Sequence, residues 1–286
     1  MLILLGFIIV ALSVFGGYAL IGGHLGALYQ PLEVLIIGGA AVGSFLAANN
    51  FKSLRATLTV LPQLLHSSKY DKSLYLDLMS LLYVLLLKAR REGMMALESH
   101  VEDPAASPIF ANYPKLMADR GMITFLTDYL RLMVSGNMSA LEIETLMDEE
   151  IETFRHESEV PATALRAVAD ALPAFGIVAA VLGVVHALAA IDQPPAILGD
   201  LISKAMVGTF LGILLAYGFV APLASRVDRL NAETVKLFEC IKITLLANLN
   251  GYPPPLAVEF GRKVLYSTER PTFAELDEHV RSAKSK

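Results

Sequence analysis

The sequence predicts an all-α integral membrane protein: four transmembrane helices, with a large cytoplasmic helical domain inserted between helices 2 and 3. Three observations carry this. Hydrophobic residues make up 55% of the 286 residues and charged residues 18%, and the mean hydropathy is +0.54, an apolar excess beyond what a soluble domain of this length needs for its core. The excess is gathered into four stretches. The basic residues avoid the short connections: of 23 Lys and Arg, 12 fall in 51–170 and 10 in 226–286. Basic residues near span ends mark the cytoplasmic side, and Lys52, Arg55, Arg166, Arg226 and Arg229 are so placed. Both termini are therefore expected in the cytoplasm.

Residues 1–23 form the first span. No basic residue precedes the apolar run, which continues through Tyr18 to Ile21, so it reads as a retained span rather than a cleaved secretory signal. Residues 32–50 form the second, interrupted only by Glu33 near its start, and complete the segment 1–50. In the cytoplasmic domain, 51–170, residues 70–101 read as one helix, with Leu78, Leu81, Leu82, Leu85 and Leu86 at helical spacing. Its charge-free run, 78–87, is too short to cross ~30 Å of hydrocarbon, so it belongs to a soluble bundle. Pro104, Pro108 and Pro114 break 103–114 into turns. A helix over 121–134 ends at Ser135-Gly136-Asn137. Ser139-Ala140-Leu141-Glu142 is a capping box that opens a long acidic helix, with a kink expected at Pro161.

Residues 171–191 and 205–225 are charge-free, each close to the ~20 residues that span a bilayer as helix; they are helices 3 and 4 of the segment 171–225. The helical pattern then continues over 223–249, with Val227, Leu230, Val235, Leu237, Phe238, Ile241 and Leu245, until Asn250-Gly251 stops it. Pro253-Pro254-Pro255 breaks the chain, and Thr272-Phe273-Ala274-Glu275 caps a last short helix of the tail, 226–286.

Several classes of function are excluded. The middle loop carries 12 basic against 17 acidic residues, which argues against nucleic acid. Cys240 is the single cysteine, so no disulfide, redox or metal spacing exists. His24, His66, His100, His156, His186 and His279 lack ligand spacing such as HExxH. No phosphate loop, nucleophile elbow or dinucleotide fingerprint is present, so neither an enzyme nor a cofactor is expected. His186 is taken as the one intramembrane titratable group, a proton relay or a side chain reaching interfacial water.

Four features bear on mechanism. Gly208-xxx-Gly212-xxx-Ala216, Gly176-xxx-Ala180 and Gly39-xxx-Gly43 are small-xxx-small faces, which let helix backbones approach closely in lipid; they serve packing within one subunit or between copies. Thr209 either bonds its own helix's carbonyl four residues back, like most membrane threonines, or lines a water-filled path. Pro173 and Pro222 each remove a backbone hydrogen bond, giving a static kink or a hinge. Lys88, Arg90, Arg91, Glu92 and Glu98 form either solvated surface or a docking patch for a charged partner.

LPAFGIVAAVLGVVHAL (172–188), MVGTFLGILLAYGFVAPLA (206–224) and NLNGYPPPLAVEFGRKVLYSTERP (248–271) resemble the MotA family, the A subunits of the bacterial flagellar stator. The likeness runs over essentially the whole chain. It implies five copies around the paired helices of a B subunit (MotB-type, one membrane helix bearing an Asp and a peptidoglycan-binding domain) in the bacterial inner membrane. It also implies an ion channel that turns ion motive force into torque. The ion-carrying carboxylate belongs to the B subunit, so this chain supplies the wall. By the same likeness Thr209, Ala180, Pro173, Pro222 and Tyr217 belong to the ion pathway. Arg90 and Glu98, with Lys88 and Arg91, meet the rotor's switch protein. Sodium-driven relatives carry a second hydroxyl seven residues after the proline of the third span; Ala180 stands there, which favours protons, because a dehydrated sodium ion needs oxygens in place of its water. The related ExbB and TolQ subunits have three spans, and the fourth apolar stretch separates this chain from them. A non-conducting scaffold would leave Thr209 and both prolines unexplained.

Overall fold

Helices account for nearly every element of the computed structural model, which describes residues 2–65 and 68–284; His66 lies outside them. Four helices are long and apolar enough to cross a membrane: Leu2–Leu20, Leu25–Ala48, Ala140–Ala189 and Pro195–Leu249. The chain divides into two compact units, Met1–Ser67 with Ser158–Arg229, and Ser68–Glu157 with Leu230–Lys286.

The first unit wears its hydrophobic residues outside. Leu5, Ile8, Ile9 and Leu12 on the first helix are exposed, as are Ile177, Val181, Val185 and Leu188 on the third. An apolar surface of that extent marks contact with something other than water, and lipid supplies it for helices of this length. Inside, Ile37, Ala41, Leu172, Ala179 and Ala216 form a small buried cluster. Aromatic pairs tie the first helix to the fourth, Phe7 on Phe219 at 5.1 Å and Phe15 edge-on to Phe210 at 6.3 Å. Arg166 and Asp228 join the third helix to the fourth in an ion pair.

The long helices are not uniformly α. Leu12–Gly16 and Leu214–Val220 are π turns, the second ending two residues before Pro222. A ring without N–H cannot hold the usual ladder bond, and a π turn redistributes the freed carbonyls. The third helix is one element of 50 residues with Pro161 and Pro173 inside it. Both prolines are carried within continuous helix, so the acidic helix and the third span are one element.

The second unit has an ordinary buried core. Leu78, Leu81, Leu82, Leu85 and Leu86 are fully buried, as their spacing predicts, against Ile241, Leu245, Val258, Leu265 and Val280. Phe125 stacks on Phe238 at 4.6 Å, and Phe154 meets Phe238 edge-on at 5.1 Å. The capping boxes form as read. The Ser139 N–H donates to Glu142 at 2.7 Å and the Glu142 N–H to Ser139 Oγ at 3.3 Å; Thr272 and Glu275 repeat the exchange at 2.6 and 3.2 Å. Backbone and side-chain donors, including Lys72, hold the Glu275 carboxyl down to about 2. One expectation is corrected. Residues 70–101 are not a single helix: Lys72–Glu92 ends at Gly93, whose φ of 90° is a left-handed-side conformation open to glycine and strained for other residues. Met94–Leu97 and Glu98–Glu102 follow as separate short turns.

Candidate functional site

The third and fourth helices meet along a seam made almost wholly of backbone. A Cβ built on Gly176 would lie 2.9 Å from the Gly208 carbonyl oxygen and 3.3 Å from Thr209 Cα; one on Gly212 would lie 2.6 Å from the Leu172 carbonyl oxygen and 2.9 Å from Gly176 Cα. Farther along, one on Gly183 would meet Ala205 Cβ at 2.6 Å. Rising numbers on one helix pair with falling numbers on the other, so the two run antiparallel. Helices gain association in lipid by such close approach, since apolar side chains find lipid as good a neighbour as protein. The faces 176–180 and 208–216 therefore pack within one chain. Gly39 and Gly43 of the second helix have nothing within 4 Å of a built Cβ among the described residues; that face is unused here.

Thr209 and Ala180 lie on this seam, and Pro173 is next in sequence to a residue that does. Thr209 follows Gly208, and the Ala180 amide nitrogen is 3.2 Å from the Cβ position of Gly208. Pro173 follows Leu172, whose carbonyl abuts Gly212. Five threonines elsewhere bond back to their own helix: Thr57, Thr127, Thr145, Thr234 and Thr244 each donate to the carbonyl four residues earlier at 2.8–3.0 Å. No such bond engages the half-buried Thr209 hydroxyl among the described residues, which leaves it available to another group. Pro222 and Tyr217 lie farther along the fourth helix and are not brought to the seam. Tyr217 sits in the π turn, 63% exposed.

Sequence reasoning passed over one residue at this place. Glu33, in the first turn of Pro31–Ala48, puts Oε2 2.9 Å from the Cβ position of Gly208. That oxygen is enclosed and has no hydrogen-bond partner. His186, exposed on its helix, is thus not the only titratable side chain of the apolar helices. The signal was present: Glu33 is the one acid between residues 25 and 48.

The charged patch lies in the second unit. Arg90, Arg91 and Glu98 are exposed, and among the described residues none of them is ion-paired. Lys88 is held by Glu92 at 2.7 Å. His100 nearby bonds Ser107 through Nδ1 at 2.8 Å; desolvation, and then the Lys88 charge, lower its pKa from the usual imidazole value. Gly93 separates the basic residues from Glu98, so the patch spans a helix end and the turn after it. Buried Cys240 has its thiol pushed up to about 12 by desolvation, far from a reactive thiolate. Among the described residues no group of His, Cys, Asp and Glu could hold a metal ion.

Residues 4–93 match the family model "Motility protein A N-terminal" and residues 118–240 match the "MotA/TolQ/ExbB proton channel family". Motility protein A of Salmonella typhimurium is 61% identical over 285 residues, covering 100% of this chain and 97% of that protein. The chain belongs to the MotA family. Motility protein A of Escherichia coli is 60% identical over the same length and the same shares. The flagellar MotAB stator complex from Bacillus subtilis is a structural neighbour with a TM-score of 0.74 at 27% identity, covering 90% of this chain and 92% of that one.

Proposed function

We propose that this chain is the A subunit of a flagellar stator, which with a B subunit forms a proton channel and converts proton motive force into torque on the rotor. Family membership and the proton-channel description of residues 118–240 support it. The observation that carries it is the seam: a hydroxyl, Thr209, not engaged by its own helix, in a wall of glycine and alanine. In this reading an acidic side chain of the B subunit moves along that wall. Ionised, it is costly against apolar surface; protonated, it passes. One charge crossing 100 mV releases ~2.3 kcal/mol, enough to bias a step between two helix arrangements and too little to dismantle a large interface.

The finer reading follows from the sequence. Residues 51–170 and 226–286 lie in the cytoplasm with both termini, the chain crosses the inner membrane four times, and five copies surround the B helices. Arg90 and Glu98, with Lys88 and Arg91, dock the rotor's switch protein by charge. Ala180, where a sodium path would need an oxygen, favours protons. The chain carries no catalytic chemistry of its own.

The test is proton uptake by vesicles containing this chain with and without a co-expressed B subunit. Flux is expected only with both, unchanged when external sodium is replaced by potassium. Selective flux from this chain alone, or a requirement for sodium, overturns the division of labour.

A further inference from the structure

We propose that Glu33 is a proton-exchange site of this chain, seated against Gly208 beside Thr209. It rests on the proton-channel reading above and adds to it an acid supplied by the A subunit itself.

The geometry is specific. One point in space, where a Cβ on residue 208 would stand, lies 2.9 Å from Glu33 Oε2, 3.0 Å from Ala179 Cβ and 3.2 Å from the Ala180 amide nitrogen. Three helices converge there, and a Cβ at 208 would displace the carboxyl from the place it holds. An acid in the first turn of a helix is commonplace, because it complements the helix dipole. Such an acid normally faces water. Here one oxygen is enclosed without a donor, although the residue as a whole is only half-buried.

Among the described residues Glu33 makes no ion pair and its enclosed oxygen has no donor. The groups that share the Gly208 position with it are the Ala179 methyl and the Ala180 amide nitrogen. Asp200 and Lys204, a few residues earlier on the fourth helix, are paired with each other at 2.6 Å. Enclosed polar atoms are almost always satisfied, and an exception calls for a use. Ionisable side chains within membrane helices mark ion and proton routes. A carboxyl group with one enclosed oxygen and one open side can take a proton from water near the 22–31 connection. It becomes a neutral acid, and releasing that proton to the ionised carboxylate of the B subunit on the Thr209 side restores the Glu33 carboxylate. Only an O–H bond forms and breaks.

The experiment measures proton flux in vesicles holding this chain and its B subunit, at fixed potential and a series of external pH values. Wild type, Glu33→Gln and Glu33→Asp are compared, with co-purification of the two subunits as the assembly readout. Glu33→Gln keeps the shape and cannot exchange a proton, so flux should fall by about tenfold or more and lose its dependence on external pH, with assembly intact. Glu33→Asp keeps the acid and should retain the pH dependence at reduced flux. Glu33→Gln with wild-type flux and pH profile overturns the proposal. Equal loss of assembly in both variants overturns it too, showing a purely structural role. A wild-type complex that carries no protons removes the channel reading first.

Discussion

Thr209 joins a hydroxyl that its own helix leaves unbonded to a place on a seam of glycine and alanine. Thr124, Thr153 and Thr163 also lack the back-bond among the described residues, so it is the seam that sets Thr209 apart. Thr209→Val preserves the shape and removes the oxygen; Thr209→Ser preserves the oxygen. We expect the valine variant to cut torque on tethered cells while the serine variant is milder, with both chains at normal levels in the membrane. Equal torque in the two would return Thr209 to simple packing. At this scale the sequence spoke unevenly. Thr209 and Pro173 stood out because a hydroxyl and a ring without N–H are unusual in an apolar helix, whereas Ala180 drew notice only through the family resemblance. Glu33 was visible too, yet its position two residues past a helix start gave it the look of an ordinary dipole-complementing acid. Only the three-helix convergence on Gly208 distinguishes it, and that is a contact between residues 175 positions apart.

Among elements, the seam makes a sharp prediction about glycine. A Cβ on Gly212 would strike the backbone of Leu172 and Gly176, and backbone cannot swing aside as a side chain can. Overpacking of this kind costs about 1–3 kcal/mol. Gly212→Ala should therefore lower the denaturation midpoint in detergent, whereas Gly39→Ala, with open space around it, should stay within about 0.5 kcal/mol of wild type. Comparable losses in both would show that the helices pack some other way. The glycine spacing predicted close approach but not which faces meet, because i, i+4 repeats describe one helix without its partner. The leucine-rich helix was legible over its core residues for the opposite reason: each leucine is buried by its own period. Its end was misjudged, because the pattern of apolar residues resumes after Gly93 and conceals a backbone angle.

At the scale of the whole molecule, two units of opposite character share one chain. One turns leucine and isoleucine outward; the other buries them and turns out charge. That contrast was plain from composition. Which surface charges matter was not, since most charges on a soluble unit are merely solvated. That Arg90, Arg91 and Glu98 have no ion-pair partner among the described residues narrows the choice. Arg90→Glu and Glu98→Lys should impair swimming, because rim charges govern encounter and register more than folding, while the chain still inserts in the membrane and assembles. Normal swimming in both, or failure of assembly in both, would remove the docking role.

The π turn at Leu214–Val220 has a bearing on how this chain can change over generations. A π turn holds each N–H against the carbonyl five residues back rather than four, so it stores a single surplus residue within an otherwise regular helix. Removing one amino acid there would let the ladder close as ordinary α-helix, with the seam before it and Ala221–Leu249 after it both keeping their internal spacing. Elsewhere in the fourth helix the same deletion would rotate everything downstream by about 100°. The seven residues before Ala221 are thus the place where this helix can lose length without losing its faces.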